Sequence, residues 1–230
     1  MLDLTNLDDG CSDEEVVSLC SRALTPWGAV AAVCVWPAQV GIARRELSGS
    51  AVRVATVVNF PHGSGDVESV VDETKRAMTA GAHEIDVVAP FRALIDGDES
   101  SYGRLVSTVR STVGAGGLLK VILETGELGD PALVDRAARI AVDCGADFVK
   151  TSTGKTPVSA TLESVLVMLR VIHDCGRPVG IKPSGGIRTF EDAARYLDLA
   201  ESIMGPSWAM PDRMRFGASS LLNALERELA

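Results

Sequence analysis

The segment GADFVKTSTGK (residues 145–155) decides the fold, because it joins a glycine, a short apolar run and a loop of small residues. Its first half recurs upstream as GAHEIDVV (residues 81–88). In both copies the glycine follows a helix-length amphipathic stretch, so it is placed to end a helix before a strand begins. A repeated helix–glycine–strand unit is typical of alternating α/β folds with a parallel sheet.

Working outward from these copies, seven apolar runs of strand length alternate with helical stretches. They are residues 29–36, 52–58, 84–88, 118–123, 148–151, 179–182 and 214–216. A closed barrel needs an eighth strand, and the pattern alone leaves residues 1–4 and 202–204 open. There is no linker or compositional break. We therefore expect one domain over residues 1–230, an α/β protein built as a single (β/α)8 TIM barrel.

Three helices are marked by the residues at their ends. Asp66 is a predicted N-cap, and Asp130 with Pro131 matches an N-cap followed by the first helical residue. Thr189 and Asp192 have the spacing of a capping box. These signals place helices between the predicted strands.

Composition narrows the class of protein. Hydrophobic residues make up 46% and aromatic residues 4%, which predicts an aliphatic core of parallel strands buried on both faces. A net charge of −9 argues against nucleic acid or an anionic membrane as partner. We find no membrane span and no signal peptide, and the five scattered cysteines lack zinc-site spacing. We expect a cytoplasmic protein with reduced thiols.

The lysines are few and unusually placed. Of the 22 basic residues, five are lysine. Lys75 suits the last turn of a helix, whereas Lys120, Lys150 and Lys182 lie in strand runs. Burial or a second cation lowers the pKa of a lysine, and such an amine can attack a carbonyl, as arginine cannot. The alternative is that these lysines are structural ion-pair partners or extend to solvent, but three of them in a lysine-poor chain favour chemistry.

Asp86 lies within the strand EIDVV and has two interpretations. Beside lysines it would stay ionised and could move protons, or it could be a structural partner of Lys120, and both remain open. Asp3 and Glu124 occupy similar strand-end positions. No Ser/His/Asp triad or facial metal triad is visible, so we expect Schiff-base chemistry without a metal or cofactor.

Three loops rich in glycine and serine follow late strands, at residues 152–156, 184–186 and 217–220. Small residues let backbone N–H groups approach a phosphate, and a following helix N-terminus adds a favourable dipole. Each loop alone often marks only a turn. Together with Lys155 and Arg188, the three loops predict a phosphorylated substrate.

Six segments resemble the deoxyribose-phosphate aldolase family, most closely its enterobacterial-type branch, in order over nearly the whole chain. They are NFPHG (59–63), EIDVV (84–88), LLKVILETGEL (118–128), DFVKTSTGK (147–155), VGIKPSGGIR (179–188) and RFGASSLL (215–222). The pair FVKTSTGK and KPSGGIR is highly specific for this family.

The resemblance implies reversible cleavage of 2-deoxy-D-ribose 5-phosphate to D-glyceraldehyde 3-phosphate and acetaldehyde. It implies that Lys150, on strand six, forms the Schiff base, which makes residues 1–4 strand one. It further implies that Lys182 lowers the pKa of that amine and that Asp86 transfers protons with it through water. We expect Lys120, Asp3 and Arg188 to support the site. The residues expected to bind substrate phosphate are Gly154, Lys155, Gly185, Gly186, Gly217, Ser219 and Ser220.

The partners implied are a small phosphorylated sugar and aldehydes, and a homo-oligomer, with a dimer favoured. Longer family members carry an N-terminal helix, and the enterobacterial-type enzymes end in a flexible tail whose Tyr assists proton transfer. Neither segment is seen in this sequence, and we expect the lack of the tail to affect the rate rather than the reaction type. The alternatives are another class I phosphosugar aldolase and a non-catalytic phosphosugar-binding barrel.

Overall fold

The computed structural model describes residues 1–229, which form a (β/α)8 barrel of parallel strands. Strands β1 to β7 neighbour one another in chain order, and β8 pairs with β1. Two parallel bridges, Ile181–Met214 and Ser184–Gly217, join the β7 and β8 segments and close the ring. The strands are β1 (Leu2–Thr5), β2 (Ala32–Val35), β3 (Arg53–Val58), β4 (Glu84–Val88), β5 (Leu118–Ile122), β6 (Phe148–Lys150), β7 (Gly180–Lys182) and β8 (Phe216–Ala218). The predicted TIM barrel is confirmed.

The helices cover the outside of this ring. They are α1 (Asp13–Arg22), α2 (Val40–Glu46), α3 (Val67–Thr79), α4 (Phe91–Ile95), α5 (Glu99–Val113), α6 (Thr125–Leu128), α7 (Pro131–Asp143), α8 (Leu162–Asp174), α9 (Phe190–Met204) and α10 (Leu221–Leu229). A 3-10 turn at Pro37–Gln39 precedes α2, and a small hairpin pairs Leu24–Thr25 with Gly28–Ala29. None of the helices within residues 1–229 is long and apolar enough to cross a bilayer.

The structure resolves the choice of the eighth strand. Residues 1–4 supply β1, whereas residues 202–204 form the last turn of α9. The predicted strand 29–36 is shorter than expected, because Ala29 belongs to the hairpin. The predicted strand 214–216 lies two residues too early, since Met214 makes only an isolated bridge. A short apolar run locates a strand better than it locates the ends of that strand.

The helix ends agree with the residues that predicted them. The Asp66 side chain accepts from the N–H of Ser69 at 3.1 Å, and Asp130 caps α7 ahead of Pro131. Thr189 forms a full capping box with Asp192. The glycines that end α3 and α7 have φ of 101° at position 81 and 93° at position 145, a conformation that favours glycine.

The barrel wall separates two kinds of packing. Outward-facing strand residues such as Ile85, Leu119 and Val149 are fully buried beneath the helices in the aliphatic core. The inward-facing residues of β2 and β3 form a separate small apolar cluster with Leu7, which consists of Leu7, Ala32, Cys34, Ala55 and Val57. Around the rest of the ring, charged side chains project inward. The interior is therefore divided into an apolar half and a charged half.

Candidate active site

Strand register brings the predicted site residues together. Lys150 on β6 is paired with Lys182 on β7, and Asp86 on β4 is paired with Lys120 on β5. Paired residues on neighbouring strands point to the same side of the sheet, so all four side chains enter the barrel. All four are buried, with Lys150 exposing 3% of its surface and the other three none. Lys150 and Lys182 both end their strands, at the carboxyl face where barrel enzymes place their chemistry.

Asp86 is the hub of this group. Its Oδ2 lies 2.9 Å from Nζ of Lys150 and 2.7 Å from Nζ of Lys182, and its Oδ1 lies 2.8 Å from Nζ of Lys120. Both interpretations of Asp86 therefore have geometric support, since one carboxylate pairs with Lys120 and also reaches the two strand-end amines. Three cations hold its pKa well below the usual carboxyl range against the opposing effect of burial.

A second tier of charges lies beyond Asp86. Asp3 places Oδ2 2.6 Å from Nζ of Lys182 and Oδ1 2.7 Å from Nη1 of Arg215. Glu84 places Oε2 2.6 Å from Nζ of Lys120 and Oε1 3.5 Å from Nη2 of Arg215. The two 2.6 Å contacts are ion pairs, because the amines are close to the carboxylate oxygens but are not oriented for a hydrogen bond. Asp3 and Lys120 thus belong to the same buried cluster of charges as Asp86.

Glu84 and Arg215 were not singled out from the sequence. Glu84 has a visible signal, because it lies two residues before Asp86 on one strand and must face the same side. Arg215 has the same two-residue spacing from Gly217, which faces the interior beside Lys182. The Arg215 side chain is buried and lies over the Phe148 ring, with 5.8 Å from its Cζ to the ring centroid.

The pKa values of the two strand-end lysines are shifted in opposite directions although the residues are neighbours. Burial lowers the pKa of Lys150 and Lys182 lowers it further, against the opposing effect of Asp86. Burial also acts on Lys182, but Asp3 and Asp86 together raise its pKa above the usual value. Burial also acts on Lys120, but the carboxylates of Asp86, Glu84 and Asp3 raise its pKa above the usual value. Lys150 is therefore the amine of this group that most readily becomes a neutral nucleophile.

A cleft of about 390 Å³ opens above Lys150 at the carboxyl face. All three predicted loops line it, together with the start of the chain and α1. The predicted residues found on its wall are Lys150, Gly154, Lys155, Gly185, Gly186, Arg188, Gly217, Ser219 and Ser220. Arg22, at the end of α1, also lines the cleft and had no sequence signal. Cations on this wall suit an anionic substrate.

Close packing between the loops explains their small residues. A Cβ at Gly217 would lie 2.2 Å from Oγ of Ser184 and 3.1 Å from Cε of Lys182. A Cβ at Gly185 would lie 2.5 Å from Oγ of Ser159, and Gly185 has φ of 83°. Helices α9 and α10 begin shortly after two of the loops, so their N-termini face the same region as the cleft.

Polar contacts fix the loop that follows Lys150. Glu124 is fully buried with φ of 56°, and its carboxylate accepts from the N–H of Thr153 at 3.3 Å and from Oγ1 of Thr156 at 3.2 Å. Lys155 Nζ lies 3.0 Å from Oδ1 of Asp9, across the cleft rim. An anion bound by Lys155 would therefore compete with Asp9. Glu124 acts on the loop rather than on the amines.

The carboxylates of the interior are engaged by cationic side chains. Among residues 1–229, no group of three or more His, Cys, Asp or Glu side chains is arranged to hold a metal ion. Cys34 on β2 is fully buried, and burial raises the pKa of its thiol. It belongs to the apolar half of the interior.

Comparison with known proteins is consistent with this geometry. The profile of the group described as "DeoC/LacD family aldolase" matches residues 2–227. A curated protein of Agrobacterium fabrum (strain C58 / ATCC 33970), "Deoxyribose-phosphate aldolase", is 52% identical over 231 residues, which cover 100% of this chain and 89% of that relative.

Solved structures show the same fold. The apo form of a Toxoplasma gondii ME49 protein, provisionally described as a deoxyribose-phosphate aldolase, superposes with a TM-score of 0.88 at 31% identity and covers 97% of this chain and 91% of its own. The deoxyribose phosphate aldolase of Aeropyrum pernix, described as tetrameric, has a TM-score of 0.81 at 25% identity and covers 100% of this chain and 89% of its own.

Proposed function

Because the chain belongs to the DeoC/LacD family of aldolases, we propose that it catalyses the reversible cleavage of 2-deoxy-D-ribose 5-phosphate to D-glyceraldehyde 3-phosphate and acetaldehyde. The observation that carries this proposal is the buried amine of Lys150 at the floor of the cleft. This amine donates a hydrogen bond to Asp86 and lies beside Lys182. The residue roles that follow are part of the proposal.

Lys150 is the nucleophile. Its neutral amine attacks the aldehyde carbon C1 of the open-chain sugar, and loss of water gives an iminium. The iminium withdraws electrons from the C2–C3 bond. The lowered pKa of Lys150 supports this role, because only the unprotonated amine can attack.

Asp86 and Lys182 manage the protons. A base formed by Asp86 and Lys182 acting through water removes the proton of the C3 hydroxyl, and the C2–C3 bond then breaks to release glyceraldehyde 3-phosphate. The electron pair stays as an enamine on C2. Protonation at C2 and hydrolysis of the resulting iminium release acetaldehyde and return Lys150 as the amine.

The three cleft loops hold the phosphate end. Gly154, Lys155, Gly185 and Gly186 come from two loops, and the third supplies the remaining members of the set, Gly217, Ser219 and Ser220. Arg188 lies on the same wall and adds positive charge. Binding energy from this remote group orients C1 against Lys150 and so raises the rate of the chemical step.

The test is mass spectrometry of the intact protein after incubation with deoxyribose 5-phosphate and borohydride, followed by peptide mapping. We expect a covalent adduct on Lys150, which Lys150→Arg should abolish together with turnover while the surface control Lys75→Arg keeps both. A wild-type protein that binds the sugar phosphate but gives no adduct would contradict the proposal and support a phosphosugar-binding barrel. Acetaldehyde release separates this enzyme from another class I phosphosugar aldolase.

We further propose that the chain is a single domain that assembles as a homodimer in the cytoplasm. The barrel over residues 1–229 supports one domain, and the five free cysteines suit a reducing compartment. Exposed apolar side chains, among them Trp27, Phe190 and Leu229, supply material for a self-association surface. Light scattering coupled to size exclusion checks the dimer, and a monomer mass at micromolar concentration would exclude it.

A further inference from the structure

Two buried charged residues of the barrel interior take no part in the mechanism above. Arg215 and Glu84 do not line the cleft and do not contact Lys150. Arg215 contacts the carboxylates of Asp3 at 2.7 Å and Glu84 at 3.5 Å, and its Nε donates to the carbonyl of Pro211. Arg215 and these two carboxylates depend on each other in the folded protein, because a buried charge without a partner of opposite sign is costly.

These residues form the base of a ladder of ion pairs that ends at the reacting amine. Arg215 contacts Asp3 and Glu84. Asp3 also contacts the amines of Lys182 at 2.6 Å and Lys120 at 3.6 Å. Glu84 contacts the Lys120 amine at 2.6 Å. Lys120 and Lys182 both contact Asp86, and Asp86 is the single carboxylate that contacts Lys150 among residues 1–229. A change of charge at Arg215 or Glu84 can therefore affect Lys150 through Lys182 and through Lys120, which both contact Asp86.

The cations of this ladder outnumber its carboxylates by one when all its amines are protonated, so the loss of one proton is favoured. With Lys150 protonated, four cations face three carboxylates, and with Lys150 neutral the charges balance. A buried ionic group is least costly when it is balanced. Arginine does not lose its proton, and Lys120 and Lys182 each contact more than one carboxylate. Lys150 contacts one, so it is the group that gives up its proton.

We propose that Glu84 and Arg215 are positioning residues that set this balance, and so set the pH at which Lys150 becomes a nucleophile. The inference rests on the proposed Schiff-base function. The ionisable groups of the interior come from strands all around Lys150, and they are Asp3, Cys34, Glu84, Asp86, Lys120, Lys182 and Arg215. Arg53, 4.0 Å from Glu84, is half-exposed and its charge is screened by solvent.

The test compares the pH dependence of kcat/KM, whose ascending limb reports the pKa of the free amine. Glu84→Gln removes a negative charge without changing shape, so the limb should move to lower pH by about one unit, as expected for a unit charge at an effective dielectric of about 20. Arg215→Met removes a positive charge, so the limb should move to higher pH by a similar amount. The double variant restores the balance, and its limb should return to the wild-type position.

Matched controls separate charge from structure. Arg215→Lys keeps the charge and should leave the limb in place. Arg213→Met should also leave it in place, because it removes a partly exposed cation that is paired with Asp212. Shifts of opposite sign cannot arise from loosened packing. An unmoved limb in Glu84→Gln would overturn the inference even if Arg215→Met failed to fold. Wild-type protein without a borohydride adduct on Lys150 would instead contradict the Schiff-base function itself.

Discussion

At the scale of single residues, Lys150 and Lys182 show how neighbours of one type come to differ. They are paired in register and both are buried. Lys182 lies 2.6 Å from Asp3 and 2.7 Å from Asp86, whereas Lys150 has only Asp86 as a carboxylate partner among residues 1–229. One additional carboxylate separates the amine whose pKa is raised from the amine whose pKa is lowered.

This difference predicts opposite effects on stability. Lys182→Met leaves two buried carboxylates each short of a cation, and we expect it to lower the free energy of unfolding by about 3–5 kcal/mol. Lys150→Met removes the amine whose protonation unbalances the interior, so we expect unfolding to cost the same or up to about 1 kcal/mol more, as is common when a functional group is replaced. Urea unfolding at pH 7 measures both, and equal losses in the two variants would refute the charge argument.

At the scale of elements, the capping box of α9 connects helix stability to the cleft. Thr189 caps the N-H of Asp192, and Oδ2 of Asp192 accepts from the N–H groups of Arg188 and Thr189. The loop of residues 184–186 and Arg188 lie directly before this cap and line the cleft. The start of α9 therefore holds one wall of the proposed phosphate site.

We expect Thr189→Ala to lower the free energy of unfolding by about 1 kcal/mol, the usual cost of a lost cap. Because the loop before α9 is loosened, KM for the phosphorylated sugar should also rise several-fold while kcat falls less. The N-cap of α5, Asp98, lies outside the cleft lining, so Asp98→Ala is the control. It should lose similar stability with KM unchanged, and a parallel rise in KM would argue against a specific link to the phosphate wall.

The elements also show where sequence reasoning succeeds. Caps such as Asp66 and Thr189 depend on contacts within four residues, so the local sequence determines them. The last strand begins two residues later than predicted. Met214 and Phe216 are both apolar and buried, and only the pairing of Phe216–Ala218 with β1 marks where the strand begins. Arg22 could not be predicted, since it enters the cleft only through the way α1 packs on the barrel.

At the scale of the whole molecule, the interior charges couple folding to pH. The pKa values of Asp3 and Asp86 are lowered in the folded protein; burial opposes this, and the surrounding cations outweigh it. A carboxyl with a depressed folded pKa contributes stability that is complete above its unfolded pKa, about 3.9 for Asp, and is lost as pH falls towards the folded pKa. Both groups therefore predict acid sensitivity below about pH 4.

We expect the melting temperature to fall steeply as the pH is lowered from 5 to 3. In this range the carboxyl groups of the unfolded chain become protonated, whereas Asp3 and Asp86 stay ionised in the folded protein. Calorimetry across this range measures the slope. Asp3→Asn should have a lower melting temperature at pH 7 and a shallower slope, whereas the exposed control Asp96→Asn should match wild type in both. A slope in Asp3→Asn as steep as in wild type would show that the interior carboxylates do not govern acid unfolding.

The division of the barrel interior by strand has a consequence for how such an enzyme can diversify. The charges lie on β1, on β4 to β7 and on Arg215 directly before β8, while β2 and β3 face them with Ala32, Cys34, Ala55 and Val57. Replacements of Ala32, Ala55 or Val57 by other apolar residues change the packing on this side of the interior and add no charge to it. The packing of this side and the ionisation of Lys150 thus depend on separate stretches of the sequence, so one can change in evolution while the other is kept.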